Sequence, residues 1–169
     1  MVTWFIGLSG AGKSTLANML YAEKKAEFPN TVLVDGDTLR EVWGDRVGHD
    51  IEGRRKNAER LSKLCAWLDD QGIHVIAAVL SLFPEWQDWN RDTFSAYHEV
   101  FLDVPMDVLE ARDTKGLYAA ARSGELIDVA GVDIPFPPPP RPNQHLKSPE
   151  VLASPEDLFR HILSEMPEW

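Results

Sequence analysis

The segment Gly7-Leu8-Ser9-Gly10-Ala11-Gly12-Lys13-Ser14 has the spacing G-x-x-x-x-G-K-[ST]. Each residue type there answers a separate demand of a polyphosphate. Glycines let backbone N–H groups turn inward on phosphate oxygens, and a helix opening near Lys13 aims the positive end of its dipole at the same oxygens. The Lys13 ammonium neutralises the β- and γ-phosphates, and the Ser14 hydroxyl suits Mg²⁺. Such a loop binds a nucleotide without distinguishing a kinase from a GTPase or an ATPase. Further on, Asp35-Gly36-Asp37 sets two carboxylates around a glycine. Together they can serve Mg²⁺ and act as general base toward an acceptor hydroxyl, while the glycine leaves room for a ligand. Arg40 follows Asp37 by three residues, so the two share a face if a helix starts there. Arg54, Arg55 and Arg60 add positive charge, although a solvated helix face accounts for Arg55 and Arg60.

Alternating strands and helices are needed to bring these groups together. An apolar run at 3–6 precedes the glycine loop, and Leu16, Met19 and Leu20 after it repeat at helical spacing to near Lys25. Pro29-Asn30 breaks the chain before a β-branched run at 31–34, which ends at the paired aspartates. The longest helical stretch is 52–71, with Leu61, Leu64, Cys65 and Leu68 on one face and Gly72 as its stop. Residues 73–80 are almost wholly apolar, which suits a strand buried on both faces of a parallel sheet. A helix is predicted over 84–96, a strand over 100–104, and a helix from Pro105 to near Arg112. This alternation means an α/β fold with right-handed crossovers, in which ligands bind beyond the carboxyl ends of the strands. Residues 113–143 break the rhythm with Lys115-Gly116, Gly124, Gly131 and the prolines of 137–140. Too polar and broken for core, they read as a functional lid with a stiff proline strap returning from it. Ser154-Pro155-Glu156 then opens a closing amphipathic helix with Leu158, Phe159, Ile162 and Leu163.

The whole chain, 1–169, suits one domain with an ordinary 44% hydrophobic and 26% charged residues. Its one cysteine forms no internal disulfide, favours a reducing compartment and lies on an apolar helix face as core. Nothing approaches the roughly 20 apolar residues of a membrane span. The start, with Val2, Trp4, Phe5 and Ile6, lacks the basic leader of a secretion signal. A net charge of −10 excludes non-specific binding to nucleic acid or an anionic membrane, and leaves an anionic ligand only where local cations override the field. His74, His98, His145 and His161 have no mutual metal spacing, so no zinc site is expected.

Taken together, these motifs resemble the adenylylsulfate kinase family. The likeness rests on Gly7-Leu-Ser-Gly-Ala-Gly-Lys-Ser-Thr-Leu-Ala, Asp35-Gly-Asp-x-x-Arg40, Gly48 with Arg54 and Asn57, Ala111-Arg-Asp-x-Lys-Gly-Leu-Tyr118, and Gly131-Val-Asp133-x-Pro135-Phe136. The Lys115-Gly-Leu-Tyr118 stretch discriminates far better than the glycine loop, and a gluconate- or shikimate-type kinase does not account for it. The resemblance implies a three-layer P-loop kinase fold, a parallel five-stranded sheet flanked by helices with a mobile lid at about 113–143. It also implies transfer of the ATP γ-phosphate to the ribose 3′-hydroxyl of adenylyl sulfate with Mg²⁺, in a cytoplasmic enzyme of sulfate assimilation. Members of the family are commonly homodimers.

Carried over position by position, the resemblance has Gly7, Ser9, Gly10, Ala11, Gly12, Lys13, Ser14 and Thr15 hold ATP, with Arg112 at its adenine. Ser14 and Asp35 serve the metal, and Asp37 is the base. Arg40, Arg54 and Asn57 orient the anionic acceptor, beside Asp35, Leu82 and Val129. Ser81 stands near the transferred phosphate, and Lys115 closes over both substrates. A lysine on a closing lid supplies charge while excluding water.

Departures from the family pattern fall on the acceptor side. His49 follows Gly48, and Val129 stands in the second half of the lid, where the family places aromatics that sandwich adenine. Valine cannot stack on a base, a contact worth roughly 1–3 kcal/mol. After Ser81 the family's Ser-Pro-aromatic-Arg gives way to Leu82-Phe83-Pro84-Glu85-Trp86, with Trp89 beyond; these tryptophans read equally well as helix packing. An alternative is therefore the same chemistry on another nucleotide, such as cytidine diphosphoramidate in capsule modification. A non-catalytic nucleotide-binding module is the second alternative. Lys13, Ser14, Asp37, Arg40, Arg54, Ser81 and Lys115 occur together, and a module without turnover has no need of that whole set.

Overall fold

The computed structural model describes residues 1–44, 48–113 and 115–169; of the expected lid, Thr114 lies outside them. In chain order the elements are β1 (Val2–Ile6), α1 (Lys13–Glu27), β2 (Thr31–Asp35), α2 (Gly36–Val42), α3 (Ile51–Asp70) and β3 (His74–Val79). They continue with α4 (Pro84–Thr93), β4 (Tyr97–Leu102), α5 (Met106–Arg112), α6 (Leu117–Ser123), β5 (Gln144–Leu146) and α7 (Pro155–Ser164). All five residues of β1 are buried, which requires cover on both faces of the strand. It has that cover at the centre of a five-stranded sheet of order β2-β3-β1-β4-β5, parallel throughout.

Side-chain alternation along the strands divides the core. Phe5, Ile76, Ala78, Val100 and Leu102 pack with Leu16 and Leu20 of α1, Leu109 of α5 and Ile162 of α7. On the other face Trp4, Ile6, Val75, Ala77 and Phe101 meet Leu61 and Cys65 of α3 and, just past α4, Phe94. The result is helix, sheet, helix, the three-layer α/β arrangement. Cys65 is packing: burial pushes its thiol up to about 12, so it is not a nucleophile. Among the described residues no helix is long and apolar enough to cross a membrane.

Several elements differ from the sequence expectation. β4 begins at Tyr97 rather than near 100, with Tyr97, His98 and Glu99 paired to Val2, Thr3 and Trp4. Their polar side chains hide the strand from an apolar pattern, and partners inside the fold meet much of that polarity. Tyr97 Oη donates to Glu99 Oε2 at 2.6 Å, and the Glu99 amide donates to Asn143 Oδ1 at 2.9 Å. α4 stops at Thr93 because Phe94 turns into the core. β5 is three residues of edge strand, too short to carry a period.

The reading of 113–143 as unfit for core is corrected. Tyr118, Val129, Ala130 and Ile134 are buried in the cluster that holds α1. Local carboxylates satisfy the backbone and free these side chains to turn inward. Asp113 accepts from the Tyr118 and Ala119 amides, both at 2.9 Å, and Asp133 accepts from the Asp128 and Val129 amides at 2.6 and 2.5 Å. At Gly131 (φ +88°) a Cβ would stand 2.6 Å from Met106 Cε and 2.9 Å from Leu8 Cδ1. Only glycine lets this turn press on the phosphate loop.

Candidate active site

The glycine loop joins the tip of β1 to α1, and backbone conformation makes its shape. Gly10 (φ +79°) and Gly12 (φ +95°) are left-handed, a region L side chains rarely adopt. α1 has neither a side-chain cap nor an acid in its first turn, which leaves its first N–H groups open toward an anion. Lys13 Nζ donates to Leu8 O at 2.8 Å, and burial lowers its pKa to about 8. Ser14 Oγ donates to Asp35 Oδ2 at 2.6 Å, while Asp35 Oδ1 accepts from the Asp37 amide at 2.9 Å. The same aspartate thus caps α2 and presents oxygen beside the Ser14 hydroxyl. A hydroxyl next to a carboxylate is a donor set that fits a hard cation such as Mg²⁺.

A cavity of about 700 Å³ opens at these strand ends, where Ser9, Gly10, Gly12, Lys13, Ser14 and Thr15 form its floor. Asp35, Asp37 and Arg40 line it from the β2–α2 junction, Arg54 and Asn57 from α3, and Ser81 and Leu82 from the end of β3. Lys115 and Val129 reach it from the expected lid segment. Lys115 Nζ lies 3.1 Å from Asp37 Oδ2. Both side chains are largely exposed, so this pair contributes position more than stability. Tyr118 Oη ties the same segment to the phosphate loop through Ser9 O at 2.8 Å.

Cations gather on one wall of the cavity in this acidic chain. Arg40 Nη2 donates to Gly48 O and lies 3.4 Å from His49 Nδ1. Arg54 Nη2 donates to Asp128 O at 2.6 Å; burial, and then the charge of Arg40, lower its pKa. Three expected nucleotide-site residues fall outside the lining. Gly7 is there for close packing, since a Cβ would stand 2.9 Å from Leu102 O, and Ala11 is buried in the core. Arg112 Nη1 lies 3.5 Å from Gly10 O.

Sequence reasoning missed the support of Ser81. This residue is left-handed (φ +54°). Trp4 Nε1 donates to its Oγ at 3.4 Å, and Gln87 Nε2 donates to its carbonyl at 2.9 Å and its Oγ at 3.3 Å. Trp4, one residue of the apolar run before the glycine loop, also lines the cavity. No spacing rule links Trp4 to Ser81; parallel pairing of β1 with β3 does. Trp86 and Trp89 touch edge to face at 5.5 Å, but Trp86 lines the cavity while Trp89 packs on Phe94.

A parallel sheet whose central strand runs into a phosphate-binding loop, with carboxylates at the tip of β2 on the far side of β3, is the architecture of the P-loop kinases. The sequence pattern described as adenylylsulphate kinase matches residues 1–147, and this chain belongs to that family. It is 39% identical over 165 residues to the bifunctional enzyme CysN/CysC of Xylella fastidiosa, covering 96% of this chain but only 26% of that protein. It is likewise 39% identical over 138 residues to the cytidine diphosphoramidate kinase of Campylobacter jejuni, covering 82% of this chain and 81% of that one. Among solved structures, the Mycobacterium tuberculosis APS kinase CysC in complex with AMPPNP and APS is similar with a TM-score of 0.84 and 34% identity. That likeness covers 97% of this chain and 95% of the other.

Proposed function

We propose that this chain is a cytoplasmic ATP-dependent kinase that phosphorylates the ribose 3′-hydroxyl of adenylyl sulfate, releasing ADP and 3′-phosphoadenylyl sulfate. The observation that carries this reading is the approach of Lys115 to Asp37 on the wall of the cavity whose floor holds Lys13 and Ser14. Phosphoryl transfer needs little covalent chemistry from a protein; it needs in-line positioning and cations around spreading charge.

The open N–H groups of α1 and the Lys13 ammonium receive the ATP phosphates. Arg40, Arg54 and Asn57 orient the anionic acceptor so that its 3′-oxygen meets Asp37. That oxygen attacks the γ-phosphorus, the bond to the β–γ bridging oxygen breaks, and the hydroxyl proton passes to the Asp37 carboxylate. Lys115 sits beside the charge that develops, and Ser81 donates its hydroxyl to the moving phosphoryl group. Ser14 and Asp35 would hold Mg²⁺, which neutralises the β- and γ-phosphate oxygens when bound.

A second reading keeps the chemistry and changes the acceptor to cytidine diphosphoramidate. It is supported by His49 and Val129 at the cavity, since the valine side chain cannot stack on a purine, and by the similarity to the Campylobacter jejuni kinase. Paired kinetics decide between them. A kcat/KM clearly higher for adenylyl sulfate upholds the first reading, comparable or higher values for cytidine diphosphoramidate overturn it, and turnover of neither leaves a binding module.

A further inference from the structure

We infer that Gln87 is a positioning residue for phosphoryl transfer, acting through Ser81 by fixing where the serine hydroxyl proton points. The inference rests on the kinase reading above and adds a residue to it. Gln87 lies in α4, six residues beyond Ser81, is only 2% exposed, and does not itself line the cavity.

Hydrogen-bond chemistry fixes the arrangement. A carbonyl oxygen only accepts, so the 2.9 Å contact with Ser81 O requires the amide nitrogen of Gln87 to face the serine. The second hydrogen of that nitrogen is then directed at Ser81 Oγ, 3.3 Å away. An indole N–H only donates, so Trp4 Nε1 at 3.4 Å also gives its hydrogen to Ser81 Oγ. A serine hydroxyl has two lone pairs and one proton. With both lone pairs engaged from the protein side, the proton is left to point into the cavity that Ser81 lines. Ser81 is thereby set as a donor toward an anion.

Two features indicate that this contact is why an amide stands here. Gln87 Oε1 is buried with no hydrogen-bond partner among the described residues, a cost that an apolar side chain of the same length would avoid. The Ser81 backbone is also held left-handed (φ +54°), a conformation that persists for a non-glycine residue only when its surroundings hold it there. The hydrogen bond that Gln87 Nε2 donates to Ser81 O is one such restraint.

The test is a double-mutant cycle in the full chain, read as kcat and the KM for ATP with Mg²⁺ and the better acceptor. S81A and Q87M are each expected to lower kcat about tenfold, the scale of one hydrogen bond to an anion, with the KM for ATP unchanged. The double variant is expected to match S81A alone. Wild-type kcat in Q87M, or losses that multiply in the double variant, overturn the inference while leaving the kinase reading intact. Wild-type kcat in S81A removes Ser81 from that reading and the inference with it. Should Q87M fail to fold, Q87E keeps the same shape. Its carboxylic acid donates to Ser81 O, whereas its carboxylate cannot and draws the serine proton away. A kcat that falls as pH rises, on a limb the wild type lacks, supports the inference; a profile parallel to the wild type overturns it.

Discussion

The floor and the acceptor wall of the cavity are built in opposite ways. Residues of one short stretch, from Ser9 to Thr15, make the floor, largely from backbone groups: left-handed Gly10 and Gly12, and the uncapped start of α1. The wall is a set of side chains from β2, α2, α3, the tip of β3 and the segment after α5, spread from Asp35 to Val129. A backbone cradle fits any triphosphate and tolerates few changes. A wall of side chains from separate elements can be altered one residue at a time, and the departures at His49, Val129 and the stretch after Ser81 all fall there. On the kinase reading, that difference makes donor and acceptor recognition separable.

The largest effect expected is from Asp37→Ala. Removing the base should lower kcat by about 10³-fold, within the range of general-base contributions, while ATP affinity measured by calorimetry stays near wild type. Wild-type turnover would withdraw the base assignment, and loss of ATP binding would break the separation of floor from wall. Lys115→Ala should cost about 10²-fold in kcat and far less in ATP affinity, because its cation serves charge that develops during transfer. Equal losses in both would make Lys115 part of the floor.

Gly131→Ala tests the joint between the two regions. Its Cβ would meet Met106 and Leu8 in a left-handed backbone, so thermal or urea unfolding should show a loss of about 2 kcal/mol. The smallest effect concerns pH. Burial lowers Lys13 to about 8, so the ammonium that meets the phosphates is present below that pH and is lost as pH rises through it. The kcat/KM for ATP should be level below about pH 8 and fall by up to tenfold per pH unit above it, and Lys13→Arg should remove that limb. An unchanged limb in that variant would assign it to another group.

These two regions also differed in how well the sequence disclosed them. Lys13, Ser14 and the glycines are contiguous, so spacing alone placed them, the apolar run of β1 led into them, and the near-continuous apolar run of β3 marked a strand buried on both faces. Asp37, Arg40, Arg54 and Lys115 came from short motifs in consistent order, and folding brings all four to one cavity. What stayed hidden depends on contacts across the fold. Trp4 and Gln87 reach Ser81 only once β1 pairs with β3 and α4 packs, and β4 opens with Tyr97, His98 and Glu99, whose polar groups find partners only inside the fold. The buried Tyr118, Val129 and Ile134 were masked by the polar and proline residues around them, since Asp113 and Asp133 meet the local backbone and disguise core as loop.

The most direct test of the central claim is to follow the phosphorus. With ATP labelled in its γ-phosphate, adenylyl sulfate and Mg²⁺, phosphorus NMR of the products should show the label as a monoester on the 3′-oxygen, in step with ADP release and lost in Asp37→Ala. Label released as inorganic phosphate, or bound to any other oxygen of the acceptor, would contradict the account.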